Sequence, residues 1–241
     1  MGARAVTDPL VFIPGFMADA RAFLPQIVAL GSMHSQTLIL PTTGNTVEEM
    51  SAAALPHLPP KFALIGHGLG GDVALDIIRR APDRVTRVVL LSTDPLAEAP
   101  QTAAARESRI IAAKSGRLLQ AMADEIPAQA LAPTDARDDI IAAIEEMALG
   151  LGPDTFRRQS RALQRRPDQQ KTLRRAMLPA LILAGEYDTL VPVRRQEFTV
   201  GLMPYATLQV INGAGHLPAL EQPEAVTAAL RQFLAGPLLL K

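Results

Sequence analysis

The chain has 241 residues, 48% of them hydrophobic and 20% charged, and its formal net charge is zero. That composition suits one α/β domain with a modest insertion, and the absence of a charge excess argues against nucleic acid or an anionic membrane as partner. No cysteine is present, which excludes disulfides, thiolate metal ligands and a cysteine nucleophile.

No stretch approaches the ~20 apolar residues that a membrane helix needs. The segment from Met1 to Leu10 shows no apolar signal-peptide core, so a soluble, cytoplasmic protein is expected. In chain order, Pro9 to Phe16 reads as a buried strand ending in a Pro-Gly turn. Asp19 to Leu30 has a helical pattern, Ser35 to Pro41 is a second strand, and Val47 to Leu58 is an alanine-rich helix ended by prolines. Phe62 to Ile65 is a short apolar strand. Gly66, Gly68, Gly70 and Gly71 follow it, and a helix is expected from Asp72, with Val73, Ala74, Ile77 and Ile78 on one face. Val85 to Leu91 is a fourth strand, leading into Ser92-Thr93-Asp94-Pro95.

From Pro95 to Met177 no strand-like run occurs. Helices are expected over Ala103 to Glu125, from Thr134 to about Gly150, over Pro153 to Arg166, and briefly after Pro167. The stretch Leu151 to Arg175 carries eight arginines and lysines against two aspartates; a solvated helical face is the plain reading, with Arg157, Arg158 and Arg161 as candidates to reach an acidic substrate. Strands resume at Ala180 to Gly185 and Ala206 to Asn212, with helices over Glu197 to Met203 and Glu224 to Leu234. Strands alternating with helices imply α/β architecture, a three-layer sandwich on a mainly parallel sheet of about six strands. The domain reading is a core of residues 1–94 and 178–241 with a helical cap at 95–177.

Strand, tight glycine turn and helix form the setting of a nucleophile elbow, whose usual pattern is Gly-x-Ser-x-Gly. Here the run is Gly66-His67-Gly68-Leu69-Gly70. The flanking glycines are present, but Gly68 has no side chain and cannot be a nucleophile. Sites in open parallel sheets form at the carboxyl ends of the strands. Asp188 follows the fifth strand there and His216 the sixth. Histidine suits a general base, and a carboxylate suits fixing its tautomer and stabilising its charged form. Asp94 competes for the acid role. Ser92 and Thr93 are the nearest hydroxyls by strand order, although ordinary turn residues are the plainer reading. His67, inside the turn, is expected to pack or bond to backbone. Four scattered histidines give no metal-ligand spacing, and the glycines lack the spacing of a phosphate or dinucleotide loop.

The elbow, the turn Gly185-Glu186-Tyr187-Asp188 and the tail from Gly213-Ala214-Gly215-His216 to Pro223 resemble those of α/β-hydrolase fold proteins over nearly the whole chain. The segments after Pro14, Thr93 and Ala148 resemble a bacterial branch of small, short-capped hydrolases. The resemblance implies a catalytic set of position 68, Asp188 and His216, an oxyanion hole from the N–H groups of Phe16 and Leu69, no cofactor, no metal, and a small-molecule acyl substrate such as a carboxylic ester. Few residues precede Pro9, so the antiparallel hairpin usual at the start of the family's sheet is expected to be missing. With Gly68 in the nucleophile's place, three explanations stand: an inactivated variant, a non-hydrolytic member, or another group doing the chemistry. The alternatives to an inactive or nearly inactive ester hydrolase are a cofactor-free lyase or oxygenase using the His-Asp pair as base, and a ligand-binding protein without catalysis.

Overall fold

The computed structural model describes residues 8–238. Residues 1–7, on which the expectations of no signal core and no leading hairpin bear, lie outside the described residues. Six strands form one sheet in the order β2-β1-β3-β4-β5-β6. They are β1 Leu10–Ile13, β2 Gln36–Leu38, β3 Phe62–His67, β4 Val85–Leu91, β5 Ala180–Gly185 and β6 Ala206–Ile211. Every adjacent pair is parallel, as the alternation of strands and helices predicts.

The inner strands are buried, apart from the partly exposed Thr86 near the start of β4, so their side chains sort by alternation onto two apolar faces. Val11, Ile13, Leu64, Val88, Leu90 and Ile182 face one way, with α2 (Val47–Ala54) and α3 (Leu69–Arg80) packed over them. Leu10, Phe12, Ile65, Val89, Leu91 and Leu183 face the other, under α1 (Leu24–Leu30) and the closing helix α10 (Pro223–Ala235). The result is a three-layer α/β sandwich.

Between β4 and β5 the chain forms α4 (Pro100–Lys114), α5 (Leu118–Glu125), α6 (Arg137–Gln164) and α7 (Gln170–Arg175), and no strand among the described residues. Its apolar residues Ile110, Met122, Ile144 and Phe156 join the same core as α2 and α3. Helix boundaries differ from the sequence reading in places. The helix expected over Ala103 to Glu125 is two, because Gly116 at φ +81° breaks it. The two helices expected on either side of Gly150 and Gly152 are present: α6 is two helical stretches joined at a kink, where Gly152 takes the non-helical angles φ +78°, ψ 169° ahead of Pro153. The elbow helix begins at Leu69, three residues before Asp72. α8 (Val193–Leu202) lies between β5 and β6, and the four-residue α9 (Pro218–Glu221) precedes α10.

Candidate active site

β3 delivers the elbow. Gly68 sits between β3 and α3 at φ +49°, ψ −116°, a conformation that costs an L-residue about 1–3 kcal/mol. Its N–H donates to the Leu91 carbonyl at 3.0 Å, and its own carbonyl accepts from the N–H groups of Gly71 and Asp72. The turn is therefore tied to β4 on one side and starts α3 on the other. Three neighbouring glycines are demanded by packing. A Cβ at Gly66 would lie 2.7 Å from the Gly70 carbonyl oxygen, one at Gly70 2.0 Å from the Ile13 carbonyl oxygen, and one at Gly71 2.0 Å from Thr93 Oγ1. Gly68 is different: a Cβ there would meet nothing nearer than the Ser92 carbonyl oxygen at 4.0 Å. The glycines that let the helix close onto the sheet are fixed by contact, whereas position 68 has room for a side chain.

That close approach also brings the loop after β1 against the start of α3. Gly70 abuts the carbonyls of Ile13 and Pro14, and Gly15 lies over the His67 ring. Phe16 and Leu69 are buried on the two sides of this junction. Met17, next to Phe16, donates its N–H to Gln159 Oε1 at 2.7 Å, and the Gln159 amide donates to the Pro41 carbonyl at 3.0 Å. Gln159, fully buried on α6, thus holds the loop that carries Phe16. The Phe16 ring also meets Phe156 edge-on at 5.1 Å.

His216 and Asp188 come together. Nδ1 of His216 lies 3.0 Å from Oδ2 and 3.2 Å from Oδ1 of Asp188. The carboxylate also accepts the N–H groups of Leu190 and Val191 at 2.9 Å each, while Ser92 faces it without completing a well-formed hydrogen bond. Burial pushes the Asp188 carboxyl up, but the charge and hydrogen bond of His216 outweigh it and hold the group below its usual range. Burial likewise opposes the imidazolium of His216, and the Asp188 charge and hydrogen bond overcome that and raise its pKa. Asp94, the competing acid, is elsewhere: it caps the Leu96 N–H and lies 3.5 Å from Arg166 and 3.7 Å from Arg195. Ser92 is fully buried, at φ +45°, on the Asp188 side, and Thr93 donates its hydroxyl to the Leu91 carbonyl. Both are turn residues.

Two residues that the sequence reading passed over hold the site in shape. One is Gln159. The other is Glu221, whose carboxylate accepts the N–H groups of Gly215 and Leu217 on either side of His216, and that of Ala132 in the helical segment, at 2.7–2.8 Å. The His216 N–H donates to the Ala130 carbonyl at 2.7 Å. A glutamate five positions after the histidine is a signal that a search for loop-anchoring acids would have found. His67 behaves as a packing residue. Its Nε2 donates to the His216 carbonyl at 2.8 Å, and burial, with the nearby His216 charge, lowers its pKa to about 4. Arg157, Arg158 and Arg161 are engaged with Asn45, with the Thr42 carbonyl and with Glu107, so the idea that they reach for a substrate is set aside.

Comparison with known proteins bears on the family and the fold. The sequence model of the alpha/beta hydrolase family matches residues 10–229. The pimeloyl-[acyl-carrier protein] methyl ester esterase of Aromatoleum aromaticum is 29% identical over 218 residues, covering 81% of this chain and 83% of its own length. A thermophilic esterase from Thermogutta terrifontis superposes with a TM-score of 0.84 at 25% identity, covering 94% of this chain and 89% of that one. The enol-lactonase of Burkholderia xenovorans LB400 shares the fold, with a TM-score of 0.84 at 18% identity over 98% and 94% of the two chains. The family match starts with the first residue of β1 and ends inside α10, so it takes in the whole sheet, and by it this chain belongs to the alpha/beta hydrolase family.

Proposed function

We propose that the chain is a carboxylic-ester hydrolase in which water makes the attack, with His216 as general base and Asp188 as the carboxylate that orients it. The 3.0 Å contact between these two, beside a position 68 with no side chain and open space, carries this reading. Similarity to esterases, one of them named for a methyl ester of an acyl carrier protein, supports an acyl ester as substrate. Residues 95–177 act as a cap over a core of 1–94 and 178–241.

With Nδ1 held by Asp188, Nε2 of His216 takes a proton from water as the water oxygen bonds to the ester carbonyl carbon. The N–H groups of Phe16 and Leu69 receive the oxyanion; both are backbone donors, so they do not depend on the residue at 68. The proton then passes to the departing alkoxide as the C–O bond breaks, leaving a carboxylic acid and an alcohol. Loss of the nucleophile from such a triad costs on the order of 10⁶ in kcat, so this turnover is slow.

The test compares the protein with its Gly68→Ser variant on 4-nitrophenyl acetate. The serine variant is expected to show a burst of acyl-enzyme. The parent is expected to turn over slowly without a burst and to lose that activity with His216→Ala. If neither turns over, the ester reading fails. His216-dependent exchange of a substrate C–H with deuterated solvent then favours the lyase or oxygenase class. Ligand binding indifferent to His216→Ala favours a binding protein.

A further inference from the structure

The far end of the sheet holds a cavity of about 520 Å³, open to the surface. It lies between the last turns of α3, the start of β4, α7 and the residues leading into β5. Ile78, Val85, Thr172, Ala176 and Leu178 form its buried floor. α3 has twelve residues, so at 1.5 Å per residue Ile78 stands about 14 Å along the helix from Leu69. This cavity and the elbow are therefore at opposite ends of the same helix, and the mechanism above makes no use of it.

The lining has an uneven charge. Arg79, Lys171 and Arg175 stand at the mouth, and among the described residues no carboxylate lines the cavity. Arg79 is already engaged by Asp76 at 2.6 Å. Lys171 and Arg175, four residues apart and so on one side of α7, are exposed and have no ion pair or side-chain hydrogen bond among the described residues. Half-exposed Met177 adds a flexible apolar wall. An apolar trough of ligand-pocket size with two unneutralised cations at its rim is complementary to an alkyl chain ending in a negative charge.

We propose that this cavity binds a medium-chain fatty carboxylate, its chain along Ile78, Val85 and Leu178 and its carboxylate between Lys171 and Arg175. The guanidinium of Arg175 offers the paired donors that a carboxylate accepts. α7 ends the helical segment and runs into β5, so an occupied cavity fixes the joint between that segment and the sheet.

The experiment is calorimetric titration of the full chain with sodium decanoate at pH 8, paired with NMR of methionine methyl groups. One decanoate per chain is expected, with the Met177 methyl shifting while those of Met17 and Met147, near the elbow, stay in place. The double variant Lys171→Gln, Arg175→Gln is expected to bind at least tenfold more weakly, with melting unchanged because both side chains are exposed; 1-decanol is expected to bind the parent tenfold more weakly than decanoate. No heat up to millimolar ligand, equal affinity of parent and double variant, equal affinity for decanol, tighter binding of decyl phosphate, or shifts at Met17 and Met147 in place of Met177 would each overturn the proposal. None of these readouts needs an active site, so the proposal and the ester-hydrolase reading stand or fall separately.

Discussion

His67 Nε2 lies 2.8 Å from the backbone carbonyl of His216, joining the elbow to the histidine loop across 149 positions of sequence. The ring is buried, and its pKa of about 4 keeps it neutral and leaves the Nε2 proton on the donor side of that bond. The unfolded chain, with an ordinary histidine, takes up a proton near pH 6.5 that the folded chain refuses until about pH 4. Stability attributable to His67 is thus lost as pH falls from 6.5 to 4, by up to about 3 kcal/mol. NMR titration is expected to show the His67 ring neutral at pH 5. His67→Phe, which removes the donor, is expected to lower stability at pH 7 by about 1–3 kcal/mol and to flatten the acid limb of the melting curve.

The glycines of the elbow separate in the same kind of measurement. Gly70→Ala drives a methyl into the Ile13 carbonyl and is expected to prevent folding or to cost more than 4 kcal/mol. Gly68→Ala meets no such wall and is expected to cost only the backbone strain, about 1–3 kcal/mol. Equal melting losses for the two would show that the tight approach of α3 to β1 is not what demands glycine here.

The pH dependence of ester turnover follows from the pair at the strand ends. In the proposed mechanism the neutral form of His216 is the base, and Asp188 raises its pKa, so activity is expected to fall on the acid side with a midpoint above the ordinary histidine value near 6.5. Asp188→Asn removes that charge. The midpoint is expected to move to lower pH while the rate at pH 9 also drops, because the ring loses its orientation. A pH profile identical in the two proteins would exclude His216 as the titrating base.

Much of this site was legible in the sequence because strand ends are where apolar runs stop, and Gly68, Asp188 and His216 stand directly after such runs. Phe16 and Leu69 came from the resemblance to α/β-hydrolase fold proteins and not from that rule. The helical segment was legible in part. Gly152, followed by Pro153, marked a break that the backbone shows, whereas Gly116, with no proline beside it, stops a helix inside a run that read as continuous. Gln159 escaped because it acts on backbone brought to it by the fold, Met17 at 142 positions. Glu221 lies four and six positions from the N–H groups of Leu217 and Gly215, and only its contact with Ala132, 89 positions away, was beyond a local window.

Asp72 gives a further test. It lies in the first turn of α3, only 2% exposed, 3.7 Å from Arg166, and burial lifts its pKa to about 7 against the pull of that guanidinium. The folded chain keeps this proton between about pH 4 and 7 while the unfolded chain releases it, so stability declines as pH rises through that window. Asp72→Asn, nearly the same shape and always neutral, is expected to raise the melting temperature at pH 8 and to change it little at pH 5. The gain has an upper bound of about 4 kcal/mol, reduced by whatever Arg166 loses. A variant less stable at pH 8 would show that the ion pair outweighs the burial.

The backbone angle at position 68 has a consequence for what folding reveals about the chain. A left-handed elbow is where glycine is most at ease and where any other residue holds the turn under tension. A side chain added at 68 would therefore carry strain that glycine does not, and the glycine form is expected to fold at least as well as any form with a side chain there. Foldedness alone thus says nothing about what stands at the elbow: position 68 is free to vary in chemistry without the rest of the molecule registering the change.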